Sequence, residues 1–330
     1  MSKLRLSVAI GDYDRNRPLL DGRCLIDGVD PVTMTLTPEE MFFRAMRHEA
    51  FDICELSLSS HSLRVSRGDC PYVGIPAFVS RAFRHTSIIV RTGSGIRKPA
   101  DLRGRRIGIP EWQLTANVWA RAMLEDEYGV SSTEINWVRG GLEEPGRHEK
   151  VSLDLPEGIS VTDIGPEQIL REMLANGEID AFMGPRAPTS FTPDNPDLRW
   201  LFDDPTAEAQ AYFRKTGIFP IMHIIGVRKT LAEAHPWLPM AVLKAFQDSK
   251  KMAMAALADT SATKITLPFV EEQLRRAQAL MGVDYWPYGF APNRDTLDYF
   301  LGQHHAQGLS GRRVSPEELF HPGVIESHVI

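Results

Sequence analysis

The chain is poor in cysteine, has no long apolar run and carries no excess of positive charge. Cys24, Cys54 and Cys70 are the three cysteines in 330 residues, and they form no CxxC or other metal-type spacing. An odd count without an export signal reads as reduced thiols, so a cytoplasmic protein is expected. Met1–Ile10 offers too short an apolar stretch for a signal-peptide core before Gly11-Asp12-Tyr13-Asp14-Arg15 follows. The longest greasy stretch, Ile218–Val227, contains Pro220 and His223. It falls far short of the roughly 20 apolar residues of a membrane span. Lys+Arg number 37 against 43 Asp+Glu, a net charge of −6, which speaks against nucleic acid as a partner. A local cationic pocket remains compatible with that sum. There is no P-loop, no GxGxxG dinucleotide loop and no Ser-His-Asp signature. HxH and HExxH are missing, and the adjacent His304-His305 would point apart on a helix.

What is present is ordinary globular composition, with 43% hydrophobic and 24% charged residues. Strand-like segments alternate with helical ones. Lys3–Ile10, Val32–Leu36, Phe51–Leu56, Phe83–Arg91, Arg106–Ile109, Ile135–Val138, Ile179–Met183 and Ile221–Val227 read as strands. Thr37-Pro38-Glu39-Glu40 opens a helix with an N-cap and Pro at the first helical position. Leu114–Tyr128 and Gly165–Asn176 are helices, each stopped by a glycine, and Leu238–Ala258, Phe269–Met281 and Arg294–Gln307 make the C-terminal part helical. The pattern predicts an α/β fold with mainly parallel sheets. Gly140–Gly165 and Phe191–Asp204 read as long loops. The large helical C-terminal part leaves room for a homo-oligomer interface.

Phe51–Leu56, Lys98–Ile109 and Met173–Ala181 together resemble the two-lobed type II periplasmic-binding-protein fold. The resemblance implies a ligand cleft between lobes joined by two crossover strands. The lobes would be 1–88 plus 222–330 and 89–221, with crossovers near Ser87–Val90 and Phe219–Ile224. At finer level the chain resembles the 4,5-dihydroxyphthalate decarboxylase family. The runs carrying this are Ser7–Asp21, Asp52–Ser60, Ser80–Thr86, Pro110–Asn117, Val138–Gly146, Gly184–Pro188, Gly217–His223, Asp259–Gln273, Trp286–Gly289 and His304–Gly308. The family implies loss of one carboxylate from a small aromatic dicarboxylate, giving 3,4-dihydroxybenzoate and CO₂. A solute-binding protein for an aromatic acid, resting on the fold alone, is the alternative. A decarboxylase of another hydroxylated aromatic acid is a third reading.

Such chemistry needs a base near the phenols, an acid near the ring carbon and cations for the carboxylates. It requires no organic cofactor. The candidate proton-transfer residues are Glu55, at a strand end, and His85 and His223, beside the two expected crossovers. Arg15, Arg81, Arg139 and Arg186 are candidates for carboxylate binding, with Arg81 and Arg186 favoured. Arg84 belongs to the same set of arginines. Thr115 and Asn117 stand at a helix N-terminus that suits an anion. Tyr13 suits ring stacking, and Ser57 a polar contact. Glu55, His85 and His223 would also suit a divalent metal if they converged, so metal dependence stays open.

Overall fold

The computed structural model describes residues 3–147, 149 and 153–325. Among them run strands β1 (Leu4–Ala9), β2 (Val29–Met34), β3 (Ile53–Ser57), β4 (Tyr72–Arg81), β5 (Ile88–Arg91), β6 (Arg106–Ile109), β7 (Asn136–Arg139), β8 (Ser160–Asp163), β9 (Ala181–Met183), β10 (Leu198–Trp200) and β11 (Ile221–Arg228). The chain forms two compact units. The first is Met1–Arg81, Ile221–Asp298 and Val314–Ile330, and the second is Ala82–Pro220 and Tyr299–Arg313.

These boundaries differ from the sequence expectation in two ways. The links fall at Arg81/Ala82 and Pro220/Ile221, and a C-terminal segment belongs to the second unit. The reason for the segment is local. The Gln307 side chain accepts from Arg121 Nε at 2.8 Å and donates to the Val118 carbonyl at 3.1 Å, while its own carbonyl accepts from Trp112 Nε1 at 3.0 Å. Tyr299 also stacks on Trp119 with centroids 5.7 Å apart. Those buried polar contacts tie 299–313 to the helix Thr115–Tyr128.

In the first unit the strand order is β2-β1-β3-β11-β4. β1 lies parallel to β2 and β3, and β11 runs antiparallel to β3 and β4. Every residue of β3 is buried, as expected for a strand covered on both faces. β4 escapes sequence reading because Gly74 and Pro76 interrupt its apolar pattern. It stands at the sheet edge, where a proline costs no ladder hydrogen bond.

The second unit has the order β10-β5-β9-β6-β7-β8. The expected strand Phe83–Arg91 is shorter: His85–Ser87 forms a 3₁₀ turn and only Ile88–Arg91 is extended. Both expected long loops contribute an edge strand, β8 and β10. β8 reads Ser-Val-Thr-Asp and is mostly exposed, so no apolar alternation announces it. The helix Pro205–Thr216 also lay hidden in sequence behind the second loop, although Asp204 caps it by accepting from Ala207 N at 2.9 Å. The core of this unit includes Ile89, Val138, Leu170, Leu174, Ile179 and Phe182. No helix among the described residues is long and apolar enough to cross a membrane.

Candidate active site

Register places the first unit's polar cluster. β11 pairs with β3 so that His223 lies opposite Ser57 and Ile225 opposite Glu55. Residues two apart on a strand share a face, so Glu55 and His223 are diagonal neighbours on the same side of the sheet. His223 Nδ1 lies 2.5 Å from Glu55 Oε1. On the other flank, Ala9 pairs with Cys54, which brings the turn after β1 level with Glu55. Gly11 N donates to Glu55 Oε2 at 3.0 Å, and Tyr13 Oη donates to Glu55 Oε1 at 2.9 Å. Gly11 is required there: a Cβ would sit 2.5 Å from the Tyr13 ring.

Glu55 is completely buried and gathers hydrogen bonds from three partners. Both of its oxygens act as acceptors, Oε2 toward Gly11 and Oε1 toward Tyr13. Burial, and next to it the Glu55 charge, push the Tyr13 phenol well above its ordinary range, so it stays a donor. The sequence leaves open which candidate is acid and which is base; in the fold Glu55 accepts from Gly11 and Tyr13. With Nδ1–H directed at Glu55, His223 keeps Nε2 for other chemistry. Its side chain is 18% exposed, against 0% for Glu55. The Phe42 ring meets the imidazole edge-on at 4.8 Å and limits its rotation.

Arg15 adds the positive charge. Its guanidinium lies 4.6 Å from the Tyr13 ring centroid and 4.3 Å from that of Trp286. Nε donates to the Val79 carbonyl at 2.6 Å and Nη1 to Asp14 at 3.1 Å, leaving Nη2 without a hydrogen bond among the described residues. Tyr288 is buried, and its hydroxyl also lacks a hydrogen-bond partner among those residues. Arg15, Arg81 and Glu55 all act on that phenol, whose pKa is raised mainly by burial. A buried orphan hydroxyl costs free energy unless something else bonds it.

Other expected site residues have structural duties. Arg81 is buried and donates to the Pro287 carbonyl at 2.9 Å and to Asn293 Oδ1, fixing the turn that carries Tyr288. Burial pushes its pKa down to about 9. Ser57 caps the helix Leu58–Arg67 by accepting from Ser60 N at 3.4 Å.

In the second unit, Arg139 is held by two carboxylates. It donates to Asp163 at 2.7 and 2.9 Å and to Glu149 at 3.0 Å. Carboxylates of the chain thus take the fork that the sequence reading offers to a substrate. Arg186 is exposed just beyond β9. Thr115 begins the helix Thr115–Tyr128, and Asn117 Nδ2 donates to the Glu111 carbonyl at 2.9 Å while its Oδ1 lacks a partner among the described residues. His85 packs its ring against Phe202 at 5.3 Å and Tyr212 at 5.8 Å. Neither ring nitrogen has a partner among the described residues, and burial lowers its pKa to about 4. His85 is thus a neutral, apolar-packed histidine. Glu55 and His223 belong to the other unit. Among the described residues no group of three or more His, Cys, Asp or Glu could hold a metal ion.

No family model matches. A protein of Comamonas testosteroni named 4,5-dihydroxyphthalate decarboxylase is 57% identical over 330 residues, covering all of both chains. The chain belongs to the 4,5-dihydroxyphthalate decarboxylase family. A Pseudomonas putida protein of the same name is 53% identical over 214 residues, 65% of this chain and 83% of that one. Among solved structures, the alkanesulfonate-binding protein SsuA from Xanthomonas axonopodis pv. citri aligns with a TM-score of 0.54 at 14% identity, covering 97% of this chain and 99% of its own. SsuA from Escherichia coli aligns with a TM-score of 0.53 at 15% identity, covering 99% and 100%. These likenesses show the type II periplasmic-binding-protein-like fold for this decarboxylase family member.

Two residues of the family member were undervalued in sequence. Tyr288 appears in the sequence only inside the run Trp286–Gly289, and its buried hydroxyl without a partner among the described residues singles it out. Arg84 reads as one arginine among several. In the fold it is buried, bonded to Ser87 Oγ at 3.4 Å, and its Nε lacks a partner among the described residues.

Proposed function

We propose that this chain removes one carboxylate from 4,5-dihydroxyphthalate, releasing CO₂ and 3,4-dihydroxybenzoate, as a cytoplasmic carboxy-lyase. What carries the reading is the Glu55–His223 pair, standing in a chain that is 57% identical from end to end to a decarboxylase of that name. Three free cysteines suit a reducing compartment. The solute-binding alternative rests on fold alone and gains nothing from an acid–base pair buried in one unit.

Each carboxylate of the substrate has a hydroxyl para to it. His223 Nε2 takes the proton of that phenol, and the electron pair left behind moves into the ring at the carboxylate-bearing carbon. A proton adds there, the C–C bond breaks, its electrons restore aromaticity and CO₂ leaves. In our reading Arg15 Nη2 and the Tyr288 hydroxyl hold the developing phenolate, a cation and a donor in a dry site. The imidazolium form of His223, stabilised by the Glu55 carboxylate, delivers the proton to carbon from Nε2. Glu55 positions His223 without touching the reacting atoms. These steps need no metal or organic cofactor.

The direct test is to incubate the purified protein with 4,5-dihydroxyphthalate and follow CO₂ and 3,4-dihydroxybenzoate. Tight binding without turnover overturns the reading. Tyr288→Phe removes one hydroxyl and leaves the ring packing. Its kcat falls by roughly a hundredfold to a thousandfold if that hydroxyl stabilises a phenolate, on the scale of losing one donor to a charged oxygen. An unchanged kcat removes Tyr288 from the site.

Arg84 is read as an anion-receiving group of the second unit. Burial pushes its pKa down to about 10, so it remains a cation at neutral pH. A buried cation without a carboxylate partner is destabilising. Arg84→Met should therefore raise the Tm of the ligand-free protein by roughly 2–4 °C, the scale of about 1 kcal/mol in a domain of this size. It should also abolish the Tm gain produced by a phthalate-type dianion. A fall in Tm, or an unaltered ligand response, contradicts the assignment.

A further inference from the structure

A second titratable cluster lies in the first unit, at the opposite end of β11 from His223. His223 pairs with Ser80 of β4, whereas Arg228 pairs with Tyr72 at the start of that strand. Two residues before Tyr72 stands Cys70, whose Sγ lies 3.4 Å from His61 Nδ1. His61 is fully buried on the helix Leu58–Arg67. Its Nε2 lies 2.9 Å from the Leu319 carbonyl oxygen. A carbonyl can only accept, so Nε2 carries a proton and Nδ1 faces the thiol.

The surroundings lock this arrangement. His321 N donates to the Gly74 carbonyl at 3.0 Å, and a parallel bridge pairs Gly74 with Phe320. Gly74 leaves no room for a Cβ, which would clash with the Leu319 carbonyl and lie 3.3 Å from His61 Nε2. So thiol, imidazole and carbonyl form a connected chain of nucleophile, base and orienter, the grouping of an activated cysteine. Nothing in the decarboxylation uses it.

We infer that Cys70 is a nucleophilic modification site that undergoes thiol–disulfide exchange with a low-molecular-weight disulfide of the glutathione type. The Cys70 sulfur attacks one sulfur of the disulfide and the S–S bond breaks. One half stays on Cys70 as a mixed disulfide. The other leaves as a thiolate and takes up the proton that His61 received from Cys70. The count is one protein thiol and one disulfide in, one mixed disulfide and one free thiol out.

Electrostatics agree with the geometry. The charged and titratable groups facing Cys70 are His61 and Arg64 on the helix, Cys54 on β3 and the adjoining Asp69, which pairs with Arg64 at 2.9 Å. Burial raises the thiol, but His61, the Tyr72 N–H and Arg64 turn the net shift downward. Burial is the largest influence on His61 and lowers it, but the Cys70 charge, the Cys70 hydrogen bond and the Leu319 carbonyl together turn the net shift upward. Cys24 and Cys54 are buried and shifted upward by that burial, whereas Cys70 is partly exposed.

The test uses the full chain at pH 7 with oxidised glutathione, read by intact mass and peptide mapping. The expected result is one adduct, on Cys70, forming at least about tenfold faster than on Cys24 or Cys54, in keeping with thiolate control of reactivity. Cys70→Ser removes the adduct, and His61→Asn slows its formation about tenfold. The wild-type pH–rate profile with iodoacetamide reaches half its plateau below the value near 8.5 of a free thiol, a readout that needs no variant to fold. Even labelling of the three cysteines overturns the proposal, as does an inert Cys70 or a half-plateau at or above that of free cysteine.

Discussion

His223→Gln lowers kcat for 4,5-dihydroxyphthalate by about 10²–10⁴, the range general acid–base groups contribute, while KM changes by less than about tenfold. Gln is the informative replacement. Its side-chain amide can still donate to Glu55 Oε1, where His223 Nδ1 now sits at 2.5 Å, and it can still lie against Phe42. The buried carboxylate thus keeps a partner and the sheet keeps its packing. What is lost is an imidazole, which can take up and hand on a proton as an amide cannot. A variant with native circular dichroism, near-native KM and a kcat reduced by orders of magnitude places His223 at proton transfer. A kcat within about threefold of wild type means that proton delivery lies elsewhere, since that range is too small for acid–base catalysis. Loss of KM and kcat together by unfolding is excluded beforehand by the melting curve.

How much of this could be read in the sequence depends on whether the signal was local. The strand Phe51–Leu56, the helix begun by Thr37-Pro38 and the helix stopped at Gly129 all announce themselves through period and caps. Strands β8 and β10 do not, because an edge strand of three or four residues that is part polar needs its neighbour to exist. Glu55 and His223 were legible as candidates from their places on strands. Their roles were not. Whether Glu55 is acid or orienter depends on Gly11 and Tyr13, 44 and 42 residues away, and on a register that no short window contains. Arginines were legible only as a class. The fold separates Arg15, with an open nitrogen beside two rings, from Arg139, already held by Asp163 and Glu149. His85 shows the limit most clearly: an imidazole beside an expected crossover is chemically suggestive, yet Phe202 and Tyr212 keep it neutral.

Glu55→Gln should cost nearly as much as losing His223, about 10²–10⁴ in kcat, although Glu55 touches no reacting atom. The carboxylate now accepts at both oxygens, from Tyr13 and His223 on Oε1 and from Gly11 on Oε2. An amide has one oxygen and one NH₂, so it cannot serve both sides. With its oxygen toward His223, the NH₂ faces Gly11 N–H at about the present 3.0 Å, donor against donor. With the amide reversed, the NH₂ faces Tyr13 and His223, and His223 must turn Nδ1 into an acceptor and move its proton to Nε2. The first orientation strands a buried donor, a loss of about 1–3 kcal/mol in stability. The second gives the wrong tautomer for accepting a proton at Nε2. Both remove the negative charge that stabilises an imidazolium. The two outcomes separate experimentally: ¹⁵N spectra of labelled imidazole report the tautomer, and the split between kcat and KM reports whether substrate binding survives. Glu55→Asp, which keeps the charge on a shorter arm, should recover part of kcat. If Glu55→Gln melts normally, shows the native tautomer and turns over at the wild-type rate, Glu55 is a structural anchor for the Gly11–Tyr13 turn, and the pairing with His223 carries no chemistry.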